Sequence, residues 1–266
     1  MRKALLYIVL YFVSYLSFAQ DTIAVALVAK QDSAKTHTYS IGGTTGYTLL
    51  MGHLQGISYG TPKSGYSSFE GYNFGVEGTY WLSNRFGLGG MLTNSSFYAA
   101  QTGLANLAIG YQQSMVADSA KVQALTKYNF YNLFVGPYFS FPLKNKKFSV
   151  DLRAVGGLTF VSTPDFDIVV VNLGVPYPFA QTRSTAFSYG FQAGGGMRYN
   201  FDKHVGIKIN VDFYYTDPNI KIVNSNFPAN AGREISDYHQ PVMMLHFNFG
   251  ISYKFGIKGV QNIAKY

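Results

Sequence analysis

Seven charged residues recur at alternate positions of otherwise apolar segments: the acids Glu77, Asp151 and Asp212 and the bases Arg153, Arg198, Lys208 and Lys254. Groups spaced this way share one face of an extended chain, so they line whatever that face encloses. Around a wide interior they would form an ion path, and around a narrow one they must pair into a buried network. The five histidines, His37, His53, His204, His239 and His246, lack the spacing that sets metal ligands on one helix face, and with no cysteine in the chain a thiolate site is excluded. His53, His239 and His246 would meet at one rim if the segments closed into a ring, yet no Ser-His-Asp arrangement can be assembled around them from sequence. The glycine runs Gly42-Gly43, Gly89-Gly90, Gly156-Gly157 and Gly194-Gly195-Gly196 precede neither a helix nor the Lys-Ser/Thr of a phosphate loop. They fall inside extended segments, where glycine relieves crowding. The sequence therefore nominates no catalytic residue, no metal ligand and no cofactor.

The elements that must position these charges alternate strictly. Phe148, Val150, Leu152, Ala154, Gly156, Leu158 and Phe160 form one face of a segment whose other face carries Ser149, Asp151, Arg153, Gly157 and Thr159. Val205, Ile207, Ile209, Val211 and Phe213 are set against Lys208, Asn210 and Asp212 in the same way, and Leu245, Phe247, Phe249 and Ile251 against His246, Asn248 and Ser252. Period-two alternation over this length predicts strands with one apolar and one polar face. Eight are expected, at residues 39–49, 70–82, 86–98, 128–141, 148–162, 185–201, 205–215 and 242–255. Tight connections are expected at Ser83-Asn84-Arg85, 142–147 and Asp202-Lys203-His204. Long polar ones fall at about 50–68, 99–124, 164–183 and 217–239. Short turns on one rim and long loops on the other predict an all-β fold, an eight-stranded antiparallel up-and-down transmembrane β-barrel of the bacterial outer membrane.

Aromatic spacing points the same way. Phe148 and Phe160 are twelve residues apart on one face, as are Phe187 and Tyr199, and Tyr189 and Phe201. At ~3.3 Å per residue and a strand tilt near 40° this is roughly 30 Å along a barrel axis, close to the ~25 Å apolar band between aromatic girdles.

Residues 1–19 read as a signal peptide: Arg2 and Lys3, an apolar run, then Ser17-Phe18-Ala19, with cleavage after Ala19 or Gln20. Residues 20–37 follow as a periplasmic segment, 38–256 as the barrel and 257–266 as a C-terminal tail. The apolar run is shorter than the ~20 residues a membrane-spanning helix needs. The composition, 17% aromatic and 13% charged, excludes a disordered chain. The net charge of +8 falls to +6 once Arg2 and Lys3 leave with the signal, and that excess lies at short turns and tails, in Arg85, Lys144, Lys146, Lys147, Lys258 and Lys265. One basic rim is better explained by side chains reaching lipid phosphates than by nucleic acid, which is not expected as a partner.

The segments Gly71-Tyr72-Asn73-Phe74-Gly75-Val76-Glu77-Gly78, Phe86-Gly87-Leu88-Gly89-Gly90 and Phe249-Gly250-Ile251-Ser252-Tyr253-Lys254-Phe255 give this chain a texture that resembles the small outer-membrane barrels typified by OmpA and OmpX. It is more closely similar to the porin-like barrel proteins of Bacteroidetes, as is the Ser-Phe-Ala-Gln cleavage region. The resemblance spans nearly the whole mature chain. It departs from the family at the end, where residues 256–266 follow the final strand that usually closes such chains.

A barrel of this size has an interior only wide enough for side chains, so the seven charges are expected to pair and plug it. One long connection is too apolar for a solvated loop, with Ile168-Val169-Val170-Val171 and Val175-Pro176-Tyr177-Pro178-Phe179 around Asn172-Leu173-Gly174. It is expected to form a hairpin, and Val169, Val171, Tyr177 and Phe179 are the candidate recognition residues, for a protein or a hydrophobic ligand. A short helix is expected near 114–125, without an assigned role. The functional expectation is a non-enzymatic barrel with a structural or surface-binding role, in contact with outer-membrane lipid and lipopolysaccharide. Passage of small hydrophobic molecules is the alternative, ahead of a lipid-modifying enzyme.

Overall fold

The structure, a computed structural model, describes residues 37–51, 67–144, 147–225 and 235–257. The expected leader, nearly all of the N-terminal segment, His53 and the tail from 258 onward lie outside these residues. Thr38–Gly256 is one compact unit.

Eight long strands close a barrel: β1 (His37–Met51), β2 (Ser67–Trp81), β3 (Phe86–Ala99), β5 (Tyr128–Pro142), β6 (Phe148–Ser162), β9 (Thr185–Asn200), β10 (Val205–Thr216) and β13 (Val242–Ile257). Each lies beside its neighbour in the chain and β13 closes on β1, so the connections run up and down. The pairings between β1 and β2 and onward to β13 are antiparallel. All eight expected strands are present, with ends within a few residues of those read from alternation. Closure leaves no unpaired backbone edge around the wall, which a strand crossing lipid requires.

The short turns are built by side chains that stand in for backbone partners. Ser83 Oγ accepts from the backbone N–H of Arg85 at 3.2 Å and of Phe86 at 3.0 Å. Asp202 Oδ1 accepts from His204 N–H at 2.6 Å and Val205 N–H at 2.7 Å, and these bonds hold its carboxyl below the usual carboxylate range.

The outward face is apolar and open: Ile41, Val76, Leu88, Leu92, Leu133, Val135, Ile209 and Ile251 are all exposed. Two aromatic belts bound it. Phe148 packs on Tyr199 with ring centroids 4.9 Å apart near the short-turn rim, and Phe160 packs on Phe187 at 4.9 Å near the other. The twelve-residue spacing on β6 is thus matched in register by the same spacing on β9. Exposed apolar surface on this scale, ringed by aromatics, belongs against hydrocarbon.

Three of the long connections are not simple loops. They carry a second, five-stranded sheet in the order β12-β11-β8-β7-β4, made of β4 (Ser119–Ala124), β7 (Phe166–Asn172), β8 (Val175–Thr182), β11 (Asn219–Ser225) and β12 (Ile235–His239). A helix, α1 (Gln101–Ser114), packs on it. The helix expected near 114–125 is therefore a correction: residues 119–124 are strand and the helix comes earlier. Leu104, Leu107 and Tyr111 recur at helical spacing and face the second sheet, while Ser-Ala-Lys-Val-Gln-Ala alternates and pairs with β7.

Candidate functional site

The lumen is layered. Near the short-turn rim, Arg198 Nη2 donates to Asp151 Oδ1 and to Ser140 Oγ, each at 3.0 Å, and Ser140 Oγ donates to the same Asp151 oxygen at 2.7 Å. Next comes a cluster centred on Arg153. Its Nε donates to Asp212 Oδ1 at 2.9 Å and its Nη2 to Asp212 Oδ2 at 2.5 Å, while Nη1 donates to Glu77. Lys208 Nζ donates to the other oxygen of Glu77. One guanidinium therefore bridges β6 to both β2 and β10, in the forked geometry that makes such pairs directional. Alternation puts these groups inside, and the narrow barrel leaves them little water, so they pair with each other.

Glycines make room for the cluster. A Cβ built on Gly194 would lie 2.3 Å from Asp212 Oδ1 and 2.3 Å from the Val211 carbonyl, so the small residue lets Asp212 reach Arg153. By contrast Gly43 has open space around it.

Midway up, neutral groups continue the network. Asn132 Nδ2 donates to Thr93 Oγ1 at 2.9 Å, and Asn132 Oδ1 accepts from Thr159 Oγ1 at 2.9 Å and Tyr214 Oη at 3.1 Å. His246 Nδ1 lies 2.5 Å from Asn73 Nδ2, and its ring sits beside Tyr214. At the long-connection rim the filling turns apolar, with Leu50, Phe97, Tyr128, Phe130, Val161, Val242 and Met244 buried together. A cavity of about 30 Å³ among Glu77, Tyr138, Arg153, Arg198 and Lys208 has room for one or two waters.

Six of the seven expected lumen charges are thus brought into ion pairs. Lys254 stands apart: its Nζ lies over the Trp81 ring, 5.8 Å from the centroid, where Trp81 Nε1 donates to Ser40 Oγ at 3.0 Å. The expected gathering of histidines is not found among the described residues. His246 is buried in the lumen, His239 is exposed with Nδ1 3.7 Å from Asp217, and His204 meets the backbone carbonyl of Lys254 at 2.8 Å. No group of acids and histidines suited to a metal occurs among the described residues.

The second sheet has its own core. Phe166, Ile168, Val170 and Phe179 are buried with Leu107 and Tyr111 of α1. The hairpin turns at Leu173-Gly174, both with positive φ (51° and 75°), the two-residue turn whose twist suits antiparallel strands. Of the four candidate recognition residues, Phe179 is 4% exposed and packs edge-on to Tyr111, with centroids 5.0 Å apart. It is core, not surface. Tyr177 lies on the same face beyond the helix and is 43% exposed. Val169 and Val171 point to the opposite face, in register with Lys121 and Ser119 of β4 and with Pro178 and Pro176 of β8. The apolar excess is visible in the sequence of this hairpin, but the helix that covers half of it is not.

No family model matches this chain, and no curated protein matches it. Among solved structures it is similar to Ail, the attachment invasion locus protein of Yersinia pestis, at 14% identity over 83% of this chain and 98% of that one, with a TM-score of 0.38. A major outer membrane protein from Thermus thermophilus is similar at 12% identity over 82% and 99% of the two chains, TM-score 0.45. The outer membrane protease OmpT from Escherichia coli is similar at 10% identity over 85% and 99%, TM-score 0.37.

Proposed function

We propose that the protein is a non-enzymatic barrel of the bacterial outer membrane whose working part is the second sheet, held at the cell surface to bind a protein partner or to brace the envelope. The observation that carries this reading is that three separate connections contribute strands to one sheet with its own buried core. Short loops would suffice for a barrel that only filled membrane. The apolar band between aromatic belts supports the membrane location, and the turn rim carrying Arg85, Lys144, Lys147 and Lys203 supports a periplasmic assignment for that side. Passage of small hydrophobic molecules would need an apolar route, and the ion-paired network and the aromatic filling lie across it.

The test combines conductance with capture. A photo-crosslinking residue at Tyr177 or Lys121 of the surface sheet is expected to trap a discrete partner on intact cells, whereas one at the lipid-facing Leu133 is not. Planar bilayer recordings are expected to give at most small, brief currents. Large, stable steps, or crosslinking no different from Leu133, would overturn the proposal.

A further inference from the structure

Two residues of the second sheet's connections hold their backbones where their side chains fit badly. Val116 has a φ of 48° and Leu173 a φ of 51°, and no other non-glycine residue among the described ones has a positive φ. The same two are the most exposed large apolar side chains among the described residues, at 86% and 89%. An exposed valine or leucine alone says little, because folded proteins leave much apolar surface in water. A left-handed backbone changes that, since a branched side chain crowds it and glycine or asparagine does not.

Both positions are ones where another residue is the rule. Val116 N–H donates to the Gln113 carbonyl at 3.3 Å and Ala117 N–H to the Gln112 carbonyl at 2.9 Å, the pattern that ends a helix on a left-handed glycine. Here α1 ends on a valine. Leu173 takes the first place of the two-residue turn between β7 and β8, where asparagine precedes glycine most readily. Neither side chain recovers the strain through packing, as both stand in the open.

The two turns form one tip. Asp118 N–H donates to the Val171 carbonyl at 2.9 Å, and Asp118 Oδ2 accepts from Gly174 N–H at 3.2 Å. Gln112 Nε2 donates to the Asp118 carbonyl at 2.9 Å, which ties the same residue back to α1. Asp118 is itself exposed, so the tip presents two apolar knobs beside one carboxylate. β7 is seven residues long, and at ~3.3 Å per residue the turn stands roughly 20 Å along the strand from Phe166, away from the lipid of the wall.

We propose that this tip docks into a protein partner through Val116 and Leu173, which enter an apolar socket whose rim carries a basic side chain opposite Asp118. Strain kept at exposed side chains marks them as the groups the contact needs. In a socket they lose the water that the open tip leaves on them. The carboxylate selects among surfaces, because it is repelled by the phosphates of a lipid surface and attracted by a cationic rim. The proposal deepens the surface-binding reading above and rests on it.

The test separates strain, docking and lipid. Asparagine suits a left-handed backbone, so Val116→Asn combined with Leu173→Asn is expected to slow cleavage by added protease within residues 101–182 about threefold, with the barrel's gel mobility unchanged. A photo-crosslinking residue at the exposed Ser119, beside the tip, is expected to give a discrete protein adduct on intact cells. The same double substitution is expected to cut the yield of that adduct about tenfold. Raising salt from about 50 mM to about 500 mM is expected to lower the yield for the parent but not for Asp118→Asn, whose amide oxygen can keep the bond to Gly174. Protein in lipid nanodiscs is expected not to float with vesicles of phosphatidylcholine and phosphatidylglycerol. Faster cleavage of the double variant would show that the two side chains belong to the packing of the sheet. No adduct at Ser119, or one of unchanged yield, would show that they do not dock, and flotation that the substitutions abolish would give the tip to lipid. Each of these overturns the proposal. Adducts from Tyr177 or Lys121 that persist through such a failure would leave the surface-binding reading standing.

Discussion

Arg153 on β6 holds Asp212 on β10 through two parallel hydrogen bonds, at 2.9 Å and 2.5 Å, although β9 lies between the two strands. Removing the arginine strands a carboxylate that is fully buried, along with much of the countercharge of Glu77. Arg153→Met is therefore expected to cost about 3–5 kcal/mol of folding stability. Urea titration in lipid or detergent, read by heat-modifiable gel mobility, measures it. The double variant Arg153→Met with Asp212→Leu is expected to recover part of the loss. A single variant as stable as the parent would mean that the pair is incidental.

Gly194 and Gly43 make a matched comparison. Gly194→Ala is expected to push Asp212 off Arg153 and reduce the folded fraction, since its Cβ meets both the carboxylate and backbone. Gly43→Ala, with nothing within 4 Å of its Cβ, is expected to be near neutral. Indistinguishable behaviour of the two variants would count against the close-approach argument.

Asp202 gives a pH signature. Its carboxyl is held low by the N–H groups of Val205 and His204, so the ionised form is favoured in the folded turn. A folded pKa below the unfolded one contributes stability that is present above the ordinary carboxylate range and lost as pH falls through the depressed value. Asp202→Ala is expected to lower the urea midpoint at pH 7, and the gap from the parent is expected to close below about pH 4. A gap of constant size across that range would exclude the titration.

Phe179 and Val169 separate core from surface in the second sheet. Phe179→Ser opens the packing against Tyr111 and is expected to cost that sheet about 3 kcal/mol. The expected readout is faster cleavage by added protease within residues 101–182, with the barrel's gel mobility unchanged. Val169→Ser is expected to leave cleavage at the parent rate. Loss of the barrel itself in Phe179→Ser would show that the two sheets fold as one.

The barrel is legible in the sequence because its signal is local. Each wall strand writes its own alternation, and the matched spacings Phe148 to Phe160 and Phe187 to Tyr199 fix both belts without any knowledge of pairing. The lumen charges are legible for the same reason, since position along one strand decides which face a residue takes. The second sheet is hidden because β4 and β11 are short and find partners in other connections, β7 and β8, so no single stretch displays the pattern.

The pairings of the second sheet repeat adjacencies that the wall already has. β4 joins β7 next to the place where β5 lies beside β6, and β8 joins β11 next to the place where β9 lies beside β10. Bringing two distant loops together normally costs closure entropy that short strands cannot recover. Here the wall has already brought their roots together, so strands as short as the six residues of β4 meet at high effective concentration. The membrane-spanning part thus serves as a template, and the same segments cut free of it would be expected to stay unpaired.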